Sequence, residues 1–439
     1  MSASSQLNVS PGGALRGTIR VPGDKSISHR ALMLGSIAEG TTCVHGFLEG
    51  QDALATMSAF RSMGVHIEGP NAGEVRIEGV GKHGLRIPAK PIDLGNSGTA
   101  MRLMAGLLAG QNFQCILTGD ESLNSRPMAR VCQPLTQMGA RLETGSGGRP
   151  PLLIRPVLDE LTGINYEMPM ASAQVKSSLL LAGLYASGRT CVSEPACTRD
   201  HTERMLRAFG YEVTIEDSRV CLAGGGTLLG NDVDVPGDFS SAAFFLVGAS
   251  IAKGSDLIIE CVGVNPTRTG ALEILRLMGA DISVVNEREM GAEPVADLRV
   301  RHSELRGINV PRDLVALAID EFPILFIAAA CARGRTVVSG AHELRVKESD
   351  RIDAMAQGLT SLGLQAHPTR DGLIVEGGPI SGGIINSRGD HRIAMAFSMS
   401  GLLASEEIVV NDCNNIHTSF PGFVQTARRA GLRVAQTHG

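Results

Sequence analysis

The segment GDFSSAAFFLVGASIAKGSD (237–256) opens with polar residues, continues as a nearly unbroken apolar run and closes on a glycine. The same plan recurs in GDKSISHRALMLGSIAEGTT (23–42), GNSGTAMRLMAGLLAGQNFQ (95–114) and ASAQVKSSLLLAGLYASGRT (171–190). It returns in IDEFPILFIAAACARGRT (319–336) and GDHRIAMAFSMSGLLASEEI (389–408). Runs such as SSLLLAGLYA and SSAAFFLVGASIA are apolar on nearly every face, which predicts helices buried all round. A second series alternates with the first: TMSAFRSMGVHIE, RVCQPLTQMGARLE, ERMLRAFGYEVTIE, EILRLMGADISV, MAQGLTSLGLQAHP and VQTARRAGLRVA. These carry charge on one side, predict solvent-facing helices, and end in a glycine that can cap a helix in the left-handed region. Intervening stretches such as EVRIEGV, LIIECVGV and LIVEGGPI alternate or run apolar and predict strands. Six copies of each series in 439 residues give a unit of about 70 residues, long for a solenoid and the right size for a βαβαββ module.

The unusual polar residues sit just ahead of the buried helices. They are Lys25, Ser26 and Arg30; Asn96, Ser97, Gly98 and Thr99; Ser172, Gln174 and Lys176; Asp238 and Ser240; Asp320 and Glu321; and Asp390, His391 and Arg392. Helix N-termini present free N–H groups and partial positive charge. Six such ends aimed at a common cleft predict a site for strongly anionic small molecules, completed by lysine and arginine.

Composition bounds the rest. A length of 439 suggests two or three domains, and 43% hydrophobic with 19% charged residues is an ordinary globular mixture. Forty Lys and Arg against 45 Asp and Glu leave a formal charge of −5, which argues against nucleic-acid and membrane-surface partners. Nine cysteines, an odd number with no CxxC pair, indicate neither a zinc ribbon nor a disulfide framework. MSASSQLNVSPGG lacks the pattern of a signal peptide, and apolar runs such as 322–332 are too short for a membrane span. The expectation is a soluble cytoplasmic protein, with no membrane partner.

Singly, the motifs have bland alternatives. PGDKSISHR (22–30) suits a phosphate or carboxylate, with Arg30 supplying bidentate contacts, but Asp24 or Ser26 could simply cap a helix. LGNSGTAMR (94–102) brings backbone close to a ligand or forms a tight turn, and no GxxxxGK[ST] loop occurs. SRPM (125–128) reads alone as a surface arginine, and TRDHTER (198–204) as a cap with a solvated charge run. SAQVKSS (172–178) offers Ser, Gln and Lys at a buried helix start, costly without partners. In IDEFP (319–323) a carboxylate beside an apolar run invites general-base use, against plain pairing with the helix dipole. In ELRVKESDR (343–351), Lys347 and Arg351 would share a helical face at an electrostatic cost that a bound anion removes. The eleven histidines show no metal-ligand spacing, so neither metal nor cofactor is expected.

Taken together and in order, PGDKSISHRALM, GNSGTAMRL, RPM, SAQVKS, IDEFP, RVKESDR and GDHRIAM resemble the 5-enolpyruvylshikimate-3-phosphate synthase family over nearly the whole chain. The resemblance implies a two-lobed α/β fold of six βαβαββ units, three per lobe, with buried helices pointing their N-termini at the interlobe cleft. One lobe would comprise residues 1–21 plus 238–439, the other the inserted residues 22–237. The implied reaction moves the enolpyruvyl (carboxyvinyl) group of phosphoenolpyruvate to the 5-hydroxyl of shikimate 3-phosphate, releasing phosphate by addition and elimination, in the shikimate pathway to chorismate and the aromatic amino acids.

By motif, Lys25, Ser26, Arg30, Ser172, Gln174, Arg199, Asp320 and Lys347 are implied to contact shikimate 3-phosphate. Lys25, Gly98, Arg126, Gln174, Arg351 and Arg392 are implied to contact phosphoenolpyruvate. Asp320 is the candidate base on the 5-hydroxyl and Glu348 the candidate acid at the methylene carbon, with Lys25 the third catalytic candidate. A monomer acting on small molecules is expected.

Ala173, Glu343 and Thr418 depart from the better-known bacterial pattern, where Ser, Asn and Lys are common. SAQVKS, TRDHTE and DEFP resemble the family's second, often glyphosate-tolerant, class, whereas Gly98 keeps the residue of sensitive members. One rival is UDP-N-acetylglucosamine enolpyruvyl transferase, which shares the fold and uses a loop cysteine as acid. Here Cys115 falls in the strand-like QCILTG, and no cysteine is expected in a mobile site loop. The other rival, a non-catalytic binder of anionic metabolites, gains nothing from acids placed among its cations.

Overall fold

The computed structural model describes residues 5–438. Six helices fall on the six apolar runs: α1 (Lys25–Ile37), α2 (Gly98–Ala109), α3 (Ala173–Gly183), α4 (Phe239–Ile251), α5 (Phe322–Cys331) and α6 (His391–Ser400). Every residue of α4 is buried, as is all of α5 but its last residue and all of α1 but its first two. The second series forms Gln51–Ser62, Ala129–Gln137, His201–Ala208, Gly270–Leu277, Arg351–Ser361 and Phe423–Ala430. In Phe423–Ala430 the buried residues are Phe423, Val424, Ala427 and Ala430, one stripe at helical spacing.

Each helix pair belongs to a small mixed sheet. In the second module Ile92–Asp93 runs parallel to Cys115–Thr118, which pairs antiparallel with Arg149–Arg155, itself antiparallel to Arg141–Gly145. The third module repeats this order with Asn165–Glu167, Arg189–Ser193, Arg219–Ala223 and Thr214–Glu216. A parallel pair needs a long crossover, and the buried helix supplies it. The result is the expected βαβαββ unit, complete in five modules and lacking its first strand in that of α5.

Three modules are completed by strands distant in sequence. Asp232–Asp234 pairs with Glu39–His45 in the module of α1, and Arg16–Arg20 with Asp256–Gly263 in that of α4. Ser5–Val9 lies between Ile408–Asn411 and Val434–His438 in the module of α6. The α5 module has three strands, Arg335–Val338, Gly372–Glu376 and Gln365–Thr369, and two isolated parallel bridges, Arg306 to Arg333 and Asn309 to Val337, where the others have a parallel strand.

The chain divides into two compact units. One holds the segment ending at Pro22 together with Pro236–Glu289 and everything from Glu293, including α4–α6. The other holds Gly23–Val235 and Met290–Ala292, including α1–α3. Each has its own aliphatic core. In the first, Phe245, Phe420 and Phe423 stack edgewise with centroids 5.5–6.3 Å apart, each burial worth about 1.5–3 kcal/mol. Gly23, at the start of the second unit, is fixed by close approach: a Cβ there would lie 1.9 Å from the Gly46 carbonyl oxygen.

One feature runs against expectation. Cys191 and Cys221 face each other on neighbouring strands and form a disulfide. The two are 30 residues apart in sequence. Strand register, which cysteine spacing does not encode, brings them together. Among the described residues no helix is long and apolar enough to cross a membrane.

Candidate active site

The helix starts are not left open. Asp24, Ser97, Ser172, Asp238 and Asp390 cap α1, α2, α3, α4 and α6, each side chain accepting a backbone N–H of the first turn. α5 has no side-chain cap and carries Pro323 in its first turn, where a missing N–H costs little. Each cap takes one N–H of its first turn, and three of the caps are carboxylates that offset part of the positive charge of the helix start.

In the unit of α1–α3, Lys25 forms an ion pair with Asp52, and the neighbouring Ser26 is half-buried. Arg126 donates to Asn96 Oδ1 at 2.6 Å and to Ser122 at 3.2 Å. Gln174 donates to Thr99 Oγ1 at 3.0 Å and accepts from Arg102 at 2.8 Å. The α2 start, with Gly98, thus meets Arg126 on one side and Gln174 and Arg102 on the other. A Cβ on Gly98 would lie 2.9 Å from the Arg102 guanidinium and 3.0 Å from that of Arg126. Arg102 escaped the sequence reading, although it stands four residues after Gly98 on the same helical face.

Arg30 has a different setting. Its guanidinium donates to Thr202 and Ser177, both at 2.7 Å, and to the Ser26 carbonyl at 3.0 Å, and the residue is 4% exposed. It ties α1 to α3 and to His201–Ala208. Lys176 is likewise interior, 2.9 Å from Glu194 and 2.8 Å from Glu203. Burial alone would lower its pKa; Glu203 and Glu194 outweigh that and raise it. His201, Thr202 and Glu203 are all buried, so TRDHTER is an internal charge cluster rather than a solvated run. Arg199, in the same run, is half-buried on a loop braced by Glu194, which accepts from the Thr198 hydroxyl at 2.5 Å and from the Thr198 N–H at 3.3 Å. Cys197 is exposed on that loop, whereas Cys115 is buried, its thiol pushed up to about 12 by burial.

In the unit of α4–α6, acids and bases alternate. Asp320 lies 3.2 Å from Lys347 and 3.5 Å from Arg351; Lys347 also meets Glu343 at 3.1 Å. Arg351 donates to Glu348 at 2.6 Å and to Asp390 at 2.8 Å. Arg392 donates to the Asp320 carbonyl at 2.9 Å and approaches Glu321 at 3.8 Å. Lys347 and Arg351 share no helical face: His342–Val346 is a 3₁₀ turn, and the following helix begins at Arg351. Four carboxylates, Asp320, Glu343, Glu348 and Asp390, lie against the two cations and relieve their repulsion. Burial lowers the Lys347 pKa and Asp320 and Glu343 overcome it, so the ammonium is held charged. Burial works against ionising Asp390, and Arg351 outweighs it, keeping the carboxyl below its ordinary range.

A second layer supports these groups. Arg268 donates to Asp238 at 3.1 Å and to Ser240 at 2.8 Å, and Ser240 donates to Glu321. Arg268, Asp238, Ser240 and Glu321 are all at most 5% exposed. Thr418, where a lysine is common, is buried and donates to the Asn415 carbonyl at 2.7 Å.

Residues 9–427 match the family model described as EPSP synthase (3-phosphoshikimate 1-carboxyvinyltransferase). The chain is 64% identical over 435 residues to the 3-phosphoshikimate 1-carboxyvinyltransferase of Alkalilimnicola ehrlichii, covering 99% of this chain and 97% of that one. The protein of the same description from Legionella pneumophila is 56% identical over 97% of this chain and 98% of its own. The solved EPSP synthase of Acinetobacter baumannii superposes with a TM-score of 0.88 at 56% identity, covering 99% of this chain and all of that one. The enolpyruvyl transferase NikO of Streptomyces tendae, 16% identical over the full length of both chains, shares the fold at a TM-score of 0.79.

Proposed function

The chain belongs to the EPSP synthase family and transfers the carboxyvinyl group of phosphoenolpyruvate to shikimate 3-phosphate in the shikimate pathway; from that premise we propose how its residues divide the work. Lys25, Ser26, Ser172, Gln174, Arg199, Asp320 and Lys347 hold shikimate 3-phosphate. Lys25, Gly98, Arg126, Gln174, Arg351 and Arg392 hold phosphoenolpyruvate. Arg30, assigned by motif to shikimate 3-phosphate, acts through Ser26, whose carbonyl it grips.

The observation that carries this reading is the placement of Asp320 and Glu348 on the two terminal nitrogens of one guanidinium, that of Arg351. A pure anion binder has no use for two acids there, whereas addition and elimination needs a base and an acid beside one cation. In addition, Glu348 gives a proton to the methylene carbon while the 5-hydroxyl oxygen attacks the adjacent carbon and yields its proton to Asp320. In elimination, the new methyl group returns a proton to Glu348 as the carbon–oxygen bond to phosphate breaks, and Asp320 gives up the hydroxyl proton to the departing phosphate. Inorganic phosphate leaves and the enol ether remains. Lys25, Arg126 and Arg392 offset the charge of phosphate and carboxylate throughout.

Phosphate release from phosphoenolpyruvate tests the assignment. It is expected in EDTA-treated protein when shikimate 3-phosphate is present. Release with UDP-N-acetylglucosamine instead would favour the rival transferase. We further propose a cytoplasmic monomer, checked by sedimentation equilibrium and cell fractionation.

A further inference from the structure

His29 lies on α1 one turn after Lys25, fully buried, and no step of the proposed reaction uses it. Its Nδ1 is 2.8 Å from Thr56 Oγ1 and its Nε2 is 3.3 Å from Ser97 Oγ. Thr56 and Ser97 are themselves at most 1% exposed. The proton directions follow from the partners. The Thr56 hydroxyl donates its one proton to the Asp52 carbonyl at 3.3 Å, so it accepts from Nδ1–H. Nε2 is then the acceptor, and the Ser97 hydroxyl donates to it. That leaves a Ser97 lone pair for the Ala100 N–H, at 3.1 Å, which is the cap of α2. The imidazole is neutral in this wiring. Burial, and then Lys25 and Arg30, push its pKa well below the ordinary value, with Asp24 opposing.

The chain of contacts joins two motifs that are far apart in sequence. Lys25 pairs with Asp52, Asp52 accepts from Thr56 through its carbonyl, Thr56 meets His29, and His29 meets the residue preceding Gly98. We propose that His29 is a positioning residue for phosphoenolpyruvate: by joining Thr56 to Ser97 it holds the start of α2, with Gly98, in fixed register against the helices that carry Lys25 and Asp52. This rests on the assignment of Gly98 and Arg126 to phosphoenolpyruvate given above. A histidine spans the gap because its two nitrogens lie on opposite edges of a rigid ring, one donating and one accepting.

His29→Leu removes both bonds, Thr56→Val removes the far one, and His29→Gln retains a polar group at the Ser97 end. Losing one or two buried hydrogen bonds corresponds to about 5- to 100-fold in affinity. The expected result is a rise of that order in KM for phosphoenolpyruvate with His29→Leu. Glyphosate inhibition weakens in step, KM for shikimate 3-phosphate stays within about twofold, and His29→Gln recovers much of the loss. A KM for phosphoenolpyruvate unchanged in His29→Leu, or a fall in kcat alone, overturns the proposal. Arg126→Ala separates the two layers. If it raises KM for phosphoenolpyruvate and His29→Leu does not, the positioning role fails; if neither does, the underlying assignment fails. A measurement on the unaltered protein guards against a variant that does not fold. Nitrogen-15 spectra of histidine-labelled protein, assigned by loss of one signal in His29→Gln, should show a neutral Nδ1–H ring from pH 8 down to 6. An Nε2–H tautomer, or titration near the ordinary value, overturns the wiring.

Discussion

Arg351 and Asp390 form a buried two-point pair, Nε to Oδ2 at 2.8 Å and an Nη to Oδ1 at 3.3 Å, with the arginine side chain 1% and the aspartate 0% exposed. Asp390 also caps α6 through the Arg392 N–H, so one carboxylate holds both the Arg351 guanidinium and the start of the helix that carries Arg392. Removing one partner of such a pair strands the other charge in the interior.

Asp390→Asn is therefore expected to lower unfolding free energy by about 3–5 kcal/mol at pH 7, read from urea titration. Because the folded pKa of Asp390 lies below its ordinary 3.8, its contribution is present above that value and is lost as pH falls through the folded value. The difference between the proteins should be flat from pH 8 to 5 and shrink below about 4. An equal deficit at every pH would show that Asp390 acts only as a neutral cap.

Asp320→Asn and Glu348→Gln should each lower kcat by roughly 100-fold or more, the scale of general acid–base groups. Each variant also breaks a contact to Arg351, so KM for phosphoenolpyruvate should move as well. Isothermal titration should still detect shikimate 3-phosphate binding to Glu348→Gln. Near-normal turnover in both variants would remove the proposed roles.

Gly98→Ala should weaken glyphosate inhibition by roughly 5- to 150-fold, the effect of overpacking by one methyl. The structure gives this a route: the methyl meets the ends of Arg102 and Arg126, so those guanidinium groups shift. Phosphoenolpyruvate should lose less, being the shorter ligand. Inhibition constants at matched substrate saturation decide it, and equal values would clear Gly98 of any part in pocket size.

Lys176→Met leaves Glu194 and Glu203 facing each other at most 8% exposed. A stability loss of about 3–5 kcal/mol is expected, with KM for shikimate 3-phosphate rising more than that for phosphoenolpyruvate, because Glu194 braces the loop of Arg199. The raised pKa of Lys176 means its stabilisation is complete below the ordinary 10.5 and is lost as pH climbs through the higher folded value. A deficit confined to acidic pH would contradict that sign.

The six core helices were legible because runs such as FPILFIAAAC admit no solvent face, and the outer six because Phe423, Val424, Ala427 and Ala430 keep helical spacing. Asp320, Lys347, Arg351 and Arg392 were legible through their motifs, and the structure gathers them within one unit. What the sequence hid is pairing across long separations. Arg30 and Lys176 look like ligand cations until Thr202, Ser177, Glu194 and Glu203 are found beside them. Asp52 and Arg268 sit in unremarkable stretches, and their partners are set by helix packing. Cys191 meets Cys221 through strand register, which a shift of one residue would abolish.

The strand Ser5–Val9 is held between Ile408–Asn411 and Val434–His438, so the earliest of the described strands is seated by the two latest. The unit of α1–α3 has no such dependence, since its strands all lie between Glu39 and Asp234. At the usual ribosomal pace of about 5–20 residues per second, that unit can be whole roughly 10–40 s before the C-terminal strand appears. During that interval Ser5–Val9 waits as an unpaired segment, whereas Arg16–Arg20 waits only until Asp256–Gly263 is made. Nascent-chain arrest near residue 270 should accordingly yield a protease-resistant core from the middle of the sequence, with its N-terminal arm still open to cleavage.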